Sequence, residues 1–99
     1  MSKIRKSAKG KDCDVRLPGV CNFDSETVVA AHIRIAGLAG VGMKPSDLAT
    51  VRACSSCHAV IDGHAKAPHL TREQIQLYTL EGHLRTLVAY EREGIVSAK

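Results

Sequence analysis

Four cysteines stand in two close pairs, Cys13 with Cys21 and Cys54 with Cys57; His32 lies between the pairs and His58 directly follows the last cysteine. Thiolates are favoured zinc ligands, and a Cys-x2-Cys turn presents two sulfurs to one ion while nearby amides donate to them. The first pair is looser, Cys-x7-Cys, but Pro18-Gly19 is a turn signal that can close it into a short hairpin. Two separated pairs with one tight knuckle point to a structural zinc held by Cys13, Cys21, Cys54 and Cys57. The competing readings are buried free thiols, or a redox protein using Cys54 and Cys57, which would want a βαβ setting that this chain lacks. Four thiolates around one divalent ion leave net negative charge, so such a site would staple the fold rather than touch a polyanion.

Imidazole, which ordinarily titrates near neutrality, suits general-base chemistry, and His32 is the candidate. Hydrolysis of a phosphodiester also needs a divalent cation to stabilise charge on the phosphate and the leaving oxygen. His58 and Asp62 lie four apart on a predicted short helix, so both side chains leave one face and could share that cation. Arg34 is expected on the same strand face as His32, and Lys44 in the loop beyond it; both could hold flanking phosphates or simply form charged surface. A lone strand histidine is otherwise a satisfied structural residue, and His58 could replace a cysteine on zinc. His64 and His69 flank Gly63 and Pro68 in a loop expected to face solvent, and His83 belongs to a helix.

The elements that must position these groups are legible in outline. Residues 27–35 carry β-branched residues and alternation and read as a strand, with Ala31, Ile33 and Ile35 inward and His32 and Arg34 on the opposite face. Gly37, Gly40, Gly42 and Pro45 mark a loop ending near Ser46-Asp47, and residues 48–53 read as a second strand running into Cys54. A short helix follows from about Cys54–Cys57 to Asp62-Gly63. A long one begins at the capping box Thr71-Arg72-Glu73-Gln74 and stops at Gly94. Its stripe of Ile75, Leu77, Tyr78, Leu80, Leu84, Leu87 and Val88 should pack on the strand pair.

With 99 residues, Phe23, Tyr78 and Tyr90 as its only aromatics and no Trp, the chain is one domain too small for a large core, which favours a metal staple. The net charge of +4 is concentrated in Lys3, Arg5, Lys6, Lys9 and Lys11, with no acid before Asp12. Residues 1–12 therefore read as a basic flexible arm suited to a polyanion or to solubility, and residues 13–99 as a single zinc-stabilised domain. No apolar leader or membrane-length run is present, so a soluble, cytoplasmic protein with reduced thiols and no membrane partner is expected.

The order of cysteine pair, strand ending in His32, glycine-containing loop, Asp47-Leu48, then Cys54-x2-Cys57-His58 and a short helix resembles the HNH, or ββα-metal, endonucleases, over about Cys13 to His64. More closely, Arg16 to Cys21, Ala31-His32-Ile33-Arg34, Lys44-Pro45 and Ala53-Cys54-Ser55-x-Cys57-His58 resemble the small predicted nucleases of prophages, the YbcO-like group. The resemblance implies an α+β fold with a zinc-stapled ββα-metal core and a long C-terminal helix. It implies a metal-dependent endonuclease hydrolysing DNA, with His32 as general base, His58 and Asp62 holding Mg2+ or Mn2+, and Asp47 in the middle position where an asparagine usually orients loop and base. Ala31 departs from the pattern, since many members carry a metal ligand directly before the base. The alternative is a non-catalytic zinc-stabilised nucleic-acid-binding module. A homodimer is a further expectation, because the leucine stripe exceeds what a two-stranded ribbon can cover.

Overall fold

The structure, a computed structural model, describes residues 2–35 and 45–97. Gly37, Gly40, Gly42 and Lys44 lie outside the described residues. The order is α1 (Lys3–Ser7), a 3-10 turn (Ser25–Thr27), β1 (Val29–His32), β2 (Thr50–Ala53), α2 (Ser55–Ile61) and α3 (Arg72–Arg92), a small α+β arrangement with a two-stranded sheet and a long C-terminal helix.

The strands pair antiparallel in the register Val29↔Ala53, Ala30↔Arg52, Ala31↔Val51 and His32↔Thr50. Alternation puts Ala31, Val51 and Ala53 on one face, buried with Val15, Leu17, Val28, Cys54 and Cys57, and leaves Ala30, His32, Thr50 and Arg52 on the other. β1 is shorter than residues 27–35 predict. Asp24 caps the 3-10 turn by accepting from Glu26 N–H, and the chain leaves the sheet after His32, so Ile33 is half-buried and Ile35 exposed. β2 likewise begins at Thr50 rather than at residue 48, after the Ser46 hydroxyl accepts from Leu48 N–H in a turn.

A two-stranded ribbon leaves strand edges whose backbone groups need partners. Here α3 and the segment before Val15 supply them along β2. His83 Nδ1–H donates to Thr50 O at 2.7 Å, Arg52 N–H donates to Thr86 Oγ1 at 3.0 Å, and Asp14 N–H donates to Arg52 O at 2.8 Å. This edge contact corrects the expected packing of α3. The face turned inward carries Thr79, Gly82, Thr86 and Tyr90, while Leu77, Leu80, Leu84 and Val88 are 51–57% exposed. Polar side chains must face the strand because they satisfy its backbone, and Gly82 must be small. A Cβ there would lie 2.8 Å from Asp14 O and 3.0 Å from Val15 Cα. The ends of α3 follow the sequence signals, with reciprocal Thr71 and Gln74 bonds at the start and Gly94 at φ +75° after the end.

Residues 3–7, expected to lie in a flexible arm, form α1. Ser2 Oγ caps it by accepting from Arg5 N–H at 3.2 Å, and Ile4 and Ala8 are buried. Arg52 ties this helix to the body. Its guanidinium donates to Ser7 Oγ at 2.9 Å and to both Glu93 carboxylate oxygens at 2.8 Å, and lies 5.0 Å from the Tyr90 ring centre. The Arg52 guanidinium in turn holds the Glu93 carboxyl below the ordinary carboxylate range.

Candidate functional site

The cysteines meet because three local devices aim them inward. Leu17 O accepts from both Val20 and Cys21 N–H across a turn with Gly19 at φ +70°, which brings Cys21 back toward Cys13. His69 Nε2–H donates to Pro18 O at 2.6 Å and pins that turn while staying exposed to solvent, as expected. Cys54 is the N-cap of α2, its sulfur accepting from Cys57 N–H at 3.4 Å; Arg16, at φ +52°, points its N–H at Cys13 Sγ at 3.5 Å. Amides aimed at sulfur in this way favour thiolate.

All four sulfurs lie within 4.8 Å of one another, with Cys54 and Cys21 3.8 Å apart and none joined in a disulfide. A tetrahedral ion with metal–sulfur bonds of about 2.3 Å sets sulfurs about 3.8 Å apart, so the cluster has the dimensions of a four-thiolate metal site. The protonation pattern agrees with that chemistry. The Cys13 thiol is drawn down to about 4, first by its hydrogen bond with Cys57 and then by the Arg16 and Cys54 amides, against burial. Cys57 is pushed up, by Cys13 first and then by burial, and Cys21 is pushed up to about 11, chiefly by burial. One thiolate in this packed group raises its neighbours, and a divalent cation is what would let all four ionise.

On the far face of the ribbon, His32 ends β1 and places Nε2 2.8 Å from Asp47 Oδ1. Asp47 is fixed by the turn before β2, where Thr50 Oγ1–H donates to Asp47 O at 2.6 Å. Hydrogen bonding from Ser2, then from His32, with the Arg5 charge adding, holds the Asp47 carboxyl below its usual range; Arg5 Nε stands 3.4 Å from Oδ2. A carboxylate on Nε2 retains the proton there and leaves Nδ1 with its lone pair free to accept one, the orientation a general base requires.

His58 and Asp62 meet across one turn of α2 with Nε2 and Oδ2 2.9 Å apart. That is a hydrogen-bond distance; it is also close to the separation, about 3.0 Å, of neighbouring ligands on an octahedral ion bound at about 2.1 Å. No hydrogen bond or ion pair among the described residues links His58–Asp62 to His32–Asp47, and the only group of three or more Cys, His or acidic side chains drawn together there is the cysteine cluster. Ala31, at the usual ligand place, is buried. Arg34 is exposed beyond the end of β1, and Lys44 lies outside the described residues.

Arg5 and Ser2 were absent from the expected set. A serine N-cap with apolar Ile4 and Ala8 at helical spacing signals a turn of helix there, though not the surface that it packs on.

Comparison with known proteins places the chain in context. Residues 2–95 match the family model described as "Putative nuclease YbcO". Two curated proteins with that same description, one from Escherichia coli K12 and one from Enterobacteria phage 82, are each 45% identical over 98 residues, covering 99% of this chain and 100% of theirs. A solved structure described as that of "a putative bacteriophage protein" from E. coli K-12 MG1655 superposes with a TM-score of 0.77 at 41% identity, covering 93% of this chain and all of that one.

Proposed function

Because this chain belongs to the YbcO family, we propose that it is a metal-dependent endonuclease hydrolysing phosphodiester bonds in DNA, with a structural zinc on Cys13, Cys21, Cys54 and Cys57. The observation that carries the reading is the Asp47–His32 pair at 2.8 Å, set at the end of a ribbon whose opposite face packs on the cysteine cluster. β1, β2 and α2 then stand for the ββα-metal unit of the HNH enzymes. In this reading His32 Nδ1 takes a proton from the attacking water, and Asp47 holds the imidazole in the productive tautomer and steadies the charge it gains. His58 and Asp62 would hold Mg2+ or Mn2+, which when bound supplies charge stabilisation at the phosphate. Arg34 and Lys44 would contact phosphates on either side.

The same reading includes a reducing, cytoplasmic setting and a homodimer. No helix among the described residues is long and apolar enough to cross a membrane. A second copy would cover Leu77 and Leu80, whose exposure α3 does not otherwise explain. Sedimentation giving only the 10.6 kDa monomer at high concentration would remove the dimer.

The second reading, a non-catalytic nucleic-acid-binding module, is favoured by the buried Ala31 and by the small ligand set left to a catalytic ion. Plasmid nicking separates the two. The endonuclease requires nicking that depends on added Mg2+ or Mn2+ and falls by about 10²–10⁴ in His32→Ala with zinc and folding retained. DNA binding without cleavage by the wild-type chain would leave the binding module standing instead.

A further inference from the structure

Between the segment around residues 11–16 and the C-terminal half of α3 lies a cleft of about 610 Å³, lined by Lys11, Arg16, Arg52, Arg85 and Arg92. None of these residues belongs to the cysteine cluster or to the His32 and His58 pairs. Its floor, Arg52, shares a ribbon face with His32, two pairs further along the register. α1 spans the distance between them, bonding Arg52 through Ser7 and approaching Asp47 through Arg5.

Two of the cations are held in place by the backbone. Arg16 Nε–H donates to Cys13 O at 3.0 Å, and Arg85 Nη1–H donates to Asp14 O at 2.8 Å. Each exposed guanidinium thus commits one N–H to a carbonyl of consecutive residues and keeps others of its five donors for a ligand. The acids in the cleft are largely engaged. Asp14 Oδ2 accepts from the Thr86 hydroxyl at 2.7 Å, and Glu93 is clasped by Arg52, leaving Asp12 exposed on the rim. Pre-oriented planar forks beside Lys11, whose Nζ stands 4.0 Å from Glu93 Oε1, match the oxygens of a phosphate, and Leu84 and Val88 add an apolar wall where a sugar can lie.

We infer that this cleft is a binding site for the phosphodiester backbone of DNA, contacted by Arg16, Arg85, Arg92 and Lys11, and that it feeds the strand across α1 toward His32. The inference rests on the nuclease reading for the identity of the polyanion. Contacts of this kind add affinity without sequence preference.

The test is fluorescence anisotropy of a labelled DNA duplex titrated with the full chain across a salt series, beside the nicking assay. Arg16→Gln, Arg85→Gln and Arg92→Gln should each weaken binding several-fold for any sequence and lower the slope of log affinity against log salt by about 0.9 for each phosphate no longer neutralised. Arg72→Gln and Lys66→Gln, outside the cleft, should not. If Arg16→Gln or Arg85→Gln loses zinc or folding, Lys11→Gln and Arg92→Gln decide, because neither bonds the backbone. Cleft variants that bind with the wild-type slope overturn the cleft and leave the nuclease reading intact. A cleft-dependent slope in a chain that does not nick supports the cleft and removes the nuclease. A wild-type chain that binds no DNA overturns the cleft.

Discussion

At the scale of single residues, the protein repeatedly uses a charged side chain to fix the position of another. Asp47 orients His32 and is itself approached by Arg5; Glu93 clasps Arg52, which has scarcely any solvent exposure. The second pair has a pH signature. Arg52 depresses the folded pKa of Glu93, so the pair's contribution to stability is fully present above the unfolded carboxylate value near 4.3 and is lost as pH falls through the lower folded value. The difference in stability between the wild type and Glu93→Gln should therefore be constant near neutrality and shrink as pH drops below about 4. Acid loss of a metal affects both chains alike and cancels in that difference. Denaturant unfolding at a series of pH values reads it, and a difference independent of pH down to strong acid would show that the ion pair contributes nothing.

At the scale of elements, α3 shows why an apolar stripe does not by itself decide which face of a helix is buried. Leu77, Leu80 and Leu84 would pack against a sheet face, but α3 meets the edge of β2, where backbone groups need His83 and Thr86, and passes so close to Asp14 and Val15 that it demands Gly82. Gly82→Ala gains helix propensity of up to about 1 kcal/mol yet forces a methyl against the Asp14 carbonyl, an overpacking that costs about 1–3 kcal/mol. A net loss of stability is expected, read as a lower Tm by calorimetry. A Tm raised by Gly82→Ala would mean that α3 and the backbone at Asp14 and Val15 are not in close contact.

At the scale of the whole molecule, the core is small and centred on sulfur. Cys13, Cys54 and Cys57 are buried within the same cluster as Val15, Leu17, Val28 and Val51. Removing a metal from that centre would leave crowded thiols and an unsupported 13–21 turn, so the cluster and the fold should be lost together. Metal analysis should find about one zinc per chain, and a strong chelator should abolish cooperative unfolding by circular dichroism. Retention of a sharp transition in the metal-free chain would show that the cysteines pack as simple apolar groups.

What could be read from the chain alone was local. Two residues at Cys-x2-Cys spacing, a capping box at Thr71 and Gln74, a glycine stop at Gly94 and the His58–Asp62 helical spacing depend on neighbours within a turn or two. Turns that the sequence signals shape each cysteine pair, but bringing the two pairs together joins residues 33 apart, Cys21 and Cys54. Tertiary structure decided the rest, through partners distant in the chain. Arg52 and Thr86 are 34 residues apart, Asp14 and Arg85 are 71 apart, and only their meeting turns the leucines of α3 outward and assembles the cationic cleft. Likewise a run of lysines reads as a tail until Ile4 and Ala8 find a surface to bury against, since burial of an apolar pair is a property of what lies opposite, and no spacing within the first dozen residues encodes that.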